Sequence, residues 1–107
     1  MLISTMNDLP GSEVTEVLGE VFGLTVRARH VGSQVGAGLK SLVGGELRGQ
    51  TKMLIESRQQ AQMRLEEDAT ARGADAVLAM RFDATEIGGG WQEICAYGTA
   101  VKTRRLS

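Results

Sequence analysis

One cysteine, one histidine and one proline are all that 107 residues hold of those types. A lone cysteine excludes an intramolecular disulfide and gives no sign of an oxidising compartment. A lone histidine excludes a paired-histidine metal site within one chain. It also leaves no Ser-His-acid or Cys-His neighbourhood at local spacing, so no catalyst is expected. Aromatic residues make up only 4% of the chain. An excess of one charge is missing too, with 12 Lys+Arg against 13 Asp+Glu. Such a balance gives no electrostatic attraction to nucleic acid or to an anionic membrane surface. No apolar run approaches the ~18 residues that a membrane helix needs. Met1 to Met6 is too short and too uncharged at its start for a secretory signal. The expectation is a cytoplasmic protein with neither nucleic-acid nor membrane partners.

What is present is glycine, at 14 residues, on a chain whose length fits one domain spanning 1–107. Few aromatics mean little buried area per side chain, and many glycines mean costly ordering or close backbone contacts. A lone subunit of this kind has a small core. Self-association is the natural remedy, because it removes further apolar area from water.

The strongest pattern runs from Gln50 to Arg72, with no Pro or Gly and a composition rich in Leu, Met, Ala, Glu, Gln and Arg. Thr51, Leu54, Ile55, Ala61, Leu65 and Ala69 recur at helical spacing and predict the buried stripe. Arg58 and Gln62 interrupt that stripe, and a place for them against a neighbouring subunit is expected. Asp68 and Arg72 form an i,i+4 pair, and Gly73 is placed to end the helix. Before it, Leu2 to Met6 predicts a short strand and Asp8-Leu9-Pro10-Gly11 a turn. Glu13 to Phe22 and Leu24 to His30 predict strand, bent near Gly23. Leu24, Val26 and Ala28 are expected on its buried face, with Thr25, Arg27 and Arg29 outside. Ser33 to Val43 predicts a short helix containing Gly36 and Gly38, with Val35, Leu39, Leu42 and Val43 on one face. After the long helix, Ala76 to Ile87 and Trp91 to Thr103 predict a hairpin around Gly88-Gly89-Gly90. Leu78, Met80, Phe82 and Ala84 are expected to face the core. On the return arm, Ile94, Ala96, Gly98 and Ala100 oppose Cys95, Tyr97, Thr99 and Val101. The resulting fold class is α+β, in the order β-β-α-α-β-β, with an antiparallel sheet packed by a short glycine-containing helix and one long helix.

Chemistry is sparse. Gly32 to Ser41 has the glycines of a phosphate loop, but Leu39 separates Gly38 from Lys40, where a phosphate loop needs glycine directly before lysine. A glycine-rich helix packed closely on a neighbour explains the segment better. His30 and Cys95 are the soft metal-ligand candidates, one of each, on different predicted strands. Asp83, Glu86 and Glu93 near the hairpin end add possible oxygen ligands. A small buried thiol and solvated turn carboxylates explain the same residues without a metal. A site becomes possible only if several copies each contribute a ligand around a symmetry axis. Asp75 sits where helix becomes strand, positioned to accept from backbone amides of the turn. Arg27, Arg29, Lys102, Arg104 and Arg105 would form a basic cluster if their strands are neighbours, though stacking aromatics are missing.

Several blocks occur in a specific order. They are Pro10-Gly11, Gly19 to Gly23, the helix ending Val43-Gly44-Gly45, the long helix, Gly73-Ala74-Asp75-Ala76-Val77, and Gly98-Thr99-Ala100-Val101-Lys102. In these the whole chain resembles the YbjQ-like family of small bacterial and archaeal proteins of unknown function, for which heavy-metal binding has been suggested. The resemblance implies an α+β, ring-forming subunit related to dodecin-like folds, assembled as a homopentamer or a decamer. It implies no proven activity and no cofactor. A metal ion held across subunits, or a small ligand in a cleft between subunits near Gly32 to Ser41, are the binding roles compatible with it. The chain departs from the usual family pattern at His30-Val31-Gly32-Ser33-Gln34-Val35.

Overall fold

A computed structural model describes residues 1–28 and 48–107. The predicted helix over Ser33 to Val43 lies outside these residues, as does His30.

The helical composition after residue 47 becomes α1, Arg48–Ala71. It ends as the glycine requires. Gly73 takes a φ of 79°, its N–H donates to Thr70 O, and Ala74 N–H donates to Ala69 O. These two bonds satisfy carbonyls that the last turn leaves open. The predicted Asp68–Arg72 ion pair is present at 3.4 Å. The buried stripe is narrower than expected. Ser57, Ala61, Leu65 and Ala69, spaced by four, are the fully covered positions. Leu54 and Ile55 stay exposed, because that end of the helix runs beyond the described part of the sheet. Glu56 already meets Arg27, one residue before β2 ends. Arg58 has a partner within its own chain. Its guanidinium lies 5.1 Å from the Phe82 ring centre, a cation–π contact.

Among the described residues four strands form one sheet in the order β1-β3-β4-β2, where β1 is Leu2–Ile3, β2 Ser12–Ala28, β3 Ala76–Glu86 and β4 Trp91–Arg105. The β3–β4 hairpin turns at the three glycines, with Ile87 N–H on Trp91 O and Trp91 N–H on Gly88 O. The sheet is not wholly antiparallel, since β1 pairs with β3 in parallel, Leu2 against Ala76. The turn into β2 is closed by Ser12 N–H on Leu9 O. Pro10 and Gly11 sit at its centre, and Gly11 has a φ of 88°. Asp75 is structural, as expected, but its acceptor role is across the sheet: Thr103 N–H donates to its carboxylate at 2.8 Å.

The kinks in the strands fall elsewhere than predicted. In β2 the register shifts between Val14 and Glu16 and again between Val17 and Gly19, and Gly19 has a φ of 103°. Gly23 stays in register, opposite Ala96. Its lack of a side chain serves packing: a Cβ there would lie 2.2 Å from Ala61 O of α1. In β3 the register shifts between Leu78 and Arg81. Ala79 adopts a φ of 54° within this bulge, left-handed for a non-glycine residue.

Both irregularities change which side chains face the helix. The core consists of Val21, Ala61, Leu65, Ala69, Val77, Met80, Ile94, Ala96 and Ala100, with Phe82 packed beside it. Val77 and Met80 share the core although three residues apart, because the bulge absorbs one position. Leu78 instead joins Ala76, Val101 and Leu9 in a small cluster on the opposite face. The assignment for β2 is reversed from expectation. Thr25 is buried toward α1, whereas Leu24 and Val26 are exposed on the far face. The expected alternation in β4 is found, with Ile94, Ala96, Gly98 and Ala100 inward.

Candidate functional site

The helix covers one face of the sheet, so the other face is where unassigned chemistry collects. Cross-strand register arranges it in rows. Phe22, Tyr97 and Arg81 form one row, and Leu24, Cys95 and Asp83 the next. Val26, Glu93 and Thr85 follow, and Ala28 opposite Trp91 ends the series. The β2 column is apolar and the β3 column polar, with Cys95 between them. Phe22, Leu24, Val26 and Trp91 are 49%, 40%, 51% and 49% exposed. Values this high are unusual for four large apolar side chains grouped on one face.

Cys95 is held as a neutral thiol. Its Sγ donates to Ala96 O at 3.7 Å. Burial pushes its pKa above the ordinary thiol value, and the carboxylates of Glu93, Asp83 and Glu20 push it further. Both effects penalise the thiolate, which is the reactive and metal-binding form. Alkylation of Cys95 by a maleimide at pH 7 is therefore expected to run several-fold slower than for a cysteine in an unfolded peptide. The rate should climb through a pH range above that of the peptide. Glu93→Gln should speed it only partly, because burial is the larger cause. Equal rates for protein and peptide at neutral pH would contradict this. The same shift makes stability fall in alkali: the contribution is complete below the unfolded thiol pKa and is lost as pH rises through the folded one.

The remaining metal candidates do not converge. Asp83 and Glu93 share the outer face with Cys95, but Glu86, opposite Gln92, belongs to the helix-side rows. Among the described residues no three His, Cys, Asp or Glu side chains form a group able to hold a metal ion. The segment from Gly32 to Ser41, considered for a small ligand, lies outside the described residues.

The family described as "Putative heavy-metal-binding" matches residues 1–104. The chain belongs to this YbjQ-like family. Its relatives include an uncharacterised UPF0145 protein of Acidothermus cellulolyticus, 64% identical over 107 residues and covering 100% of this chain and 99% of that one. A UPF0145 protein of Streptomyces coelicolor is 69% identical over 105 residues, with 98% and 99% covered. Among solved structures, a protein of unknown function from the DUF74 family of Pediococcus pentosaceus superposes with a TM-score of 0.61. It is 15% identical and covers 97% of this chain and 98% of that one, a likeness of fold alone.

The basic cluster considered for this YbjQ-like chain does not form among the described residues, outside which Arg29 lies. Register places Arg27 beside Gln92 at one end of β2, and Lys102, Arg104 and Arg105 at the other. Glu13 pairs with Arg104 there. No helix among the described residues is long and apolar enough to cross a membrane. A polar network that the sequence did not reveal joins α1 to β2. Thr25 Oγ1 and Arg27 Nη2 both donate to Gln60 Oε1, at 3.2 and 3.0 Å. Arg27 Nη1 lies 3.6 Å from Glu56. The one available signal is Thr25 and Arg27 recurring at strand spacing, a pattern that by itself points to solvent. The network anchors the helix and leaves the opposite face without a cover from α1.

Proposed function

We propose that this chain is a non-enzymatic protein of the cytoplasm that works as a ring-type homo-oligomer, a homopentamer or a decamer, with the bare sheet face as a subunit contact. The exposed column of Phe22, Leu24 and Val26 with Trp91 beside it carries this proposal. Two half-exposed aromatics alone leave on the order of 200 Å² accessible, close to the largest patch a monomer ordinarily tolerates once the aliphatics are added. A core containing four alanines among nine residues gives a lone subunit little reserve. Light scattering at micromolar concentration is expected to find an assembly. The paired change Phe22→Ser and Trp91→Ser should reduce it to one or two chains with native circular dichroism. A monomeric wild type would overturn the proposal.

Heavy-metal binding across subunits is favoured by one observation: Cys95 lies on that same face beside Asp83 and Glu93. Copies meeting there would bring together donors that one chain lacks. Soft cations select thiolate, and binding must displace the thiol proton, so affinity should rise with pH. Titration of metal-free protein with zinc, copper and nickel tests it, with proton release read in parallel. Binding unchanged in both Cys95→Ala and His30→Ala would remove those ligands from consideration.

A further inference from the structure

Among the described residues nothing pairs with the outer edge of β3 at Phe82 and Ala84, and the phase of that edge can be read from two bonds. Ile87 N–H donates to Trp91 O across the hairpin, so the odd-numbered residues 81, 83 and 85 turn their backbone groups toward β4. Met80 N–H donates to Ser4 O on the other side, so the even-numbered residues point away from β4. The N-terminal segment covers that side only through Met80. There the Arg81 guanidinium closes the edge by donating to Thr5 O and Met80 O, at 2.9 and 2.8 Å. Past this point, the outward N–H and C=O groups of Phe82 and Ala84 have no partner among the described residues. The far edge of the sheet is treated differently. β2 is bulged twice, and α1 reaches round it, Asp68 accepting from Phe22 N–H and Arg64 donating to Leu24 O. Open strand edges are templates for another strand, and proteins ordinarily block them.

We propose that two copies of this chain pair edge to edge through β3, antiparallel about a two-fold axis at Ala84. The occupant is a second copy because the segment complements its own reverse. Ala84 meets Ala84 of the copy, the least obstructive side chain at the axis. Asp83 faces Thr85 of the copy, whose hydroxyl can donate to the carboxylate, and symmetry supplies this pair twice. Phe82, already under the Arg58 guanidinium of its own chain, stands opposite position 86 of the copy. Such pairing makes one eight-stranded sheet with both bare faces on the same side. The inference rests on the decamer of the reading above, since a five-membered ring has no two-fold axis, and it adds a contact separate from the bare face.

Ala84→Pro tests it, because the N–H removed points away from β4 and the hairpin loses none of its own bonds. Ala84→Lys is the second variant, with a charge in place of a missing donor. Both are expected to halve the mass of the assembly by light scattering. In the wild type, the Phe82 and Ala84 amides should exchange with deuterium about tenfold slower at high concentration than on dilution. In Ala84→Lys the Phe82 amide should lose that protection. Unchanged mass in both variants, or amides equally fast at both concentrations, overturns the edge contact. Phe22→Ser with Trp91→Ser separates the two proposals: a dimer with a slow Phe82 amide keeps the edge contact whatever becomes of the bare face.

Discussion

Gly23→Ala is expected to lower the melting temperature by roughly 15 °C, corresponding to about 3 kcal/mol in a domain of this size. The added Cβ would sit 2.2 Å from Ala61 O, 2.4 Å from Leu65 N and 2.8 Å from Arg64 Cβ. Two of these atoms belong to the α1 backbone, so no rotamer change relieves the clash. The helix must lift away from the sheet. Lifting it separates Ala61, Leu65 and Ala69 from Val21, Ala96 and Ala100, which is most of the core. Overpacking by one methyl group ordinarily costs about 1–3 kcal/mol, and a rigid backbone on the receiving side places this case at the top. Total stability of about 5–15 kcal/mol makes that a large fraction. Gly49→Ala is the control: it lies in the same helix with nothing within 4 Å of a Cβ. It should gain up to about 1 kcal/mol from helix propensity. Melting followed by circular dichroism at one fixed protein concentration decides it, since an assembly melts in a concentration-dependent way. A Gly23→Ala melt within a few degrees of wild type would mean that the helix does not rest on this glycine.

Why Gly23 was misread in sequence explains much of what else was and was not legible. Strict alternation says which residues share a face, but not which face the helix will take. In β2 the larger apolar residues, Leu24 and Val26, suggest the core. The helix chooses the side of Gly23 because only there can its backbone approach. The usable signal is smallness on both partners: Gly23, Ala96 and Ala100 on the sheet match Ala61 and Ala69 on α1. The long helix and the hairpin were legible because each has a local cause, an unbroken helical composition ending at Gly73 and three glycines in a row. The hairpin tip also sets Asp83 opposite Cys95, since Ile87 against Trp91 fixes every pair below it as far as the bulge. Nothing comparable sets the register of β2, whose two bulges leave no trace in the alternation. The parallel β1 is two residues long, too short to carry a period. The bulge at Ala79 was invisible because alanine, not glycine, occupies its left-handed position.

That bulge governs the second large effect, the loss expected in Gly98→Ala. Leu78 pairs with Thr99 and Arg81 with Tyr97, so Ala79 and Met80 together stand opposite Gly98 alone. Ala79 in the left-handed region costs about 1 kcal/mol. The conformation persists because the N–H groups of Ala79 and Met80 donate to Met6 O and Ser4 O, tying the N-terminal segment to the sheet. A Cβ at Gly98 would lie 2.6 Å from Val77 Cγ1, 2.9 Å from Leu78 O and 3.4 Å from Met80 Cα. Val77 is fully buried and stiff at χ1, so it yields little. A cost of about 2–3 kcal/mol is expected, at the upper end for one added methyl. Val77→Ala alone should cost about 2 kcal/mol by leaving a cavity. Combined, the two changes should cost about 1 kcal/mol less than their sum, because removing Cγ1 makes room for the new methyl. Rescue stays incomplete, since Leu78 O still stands 2.9 Å away and moving it means reshaping the bulge. Strict additivity in denaturant unfolding would show that Gly98 and Val77 do not share that space. Full rescue would show that the backbone at Leu78 yields freely and that the bulge is softer than its two tethering bonds imply.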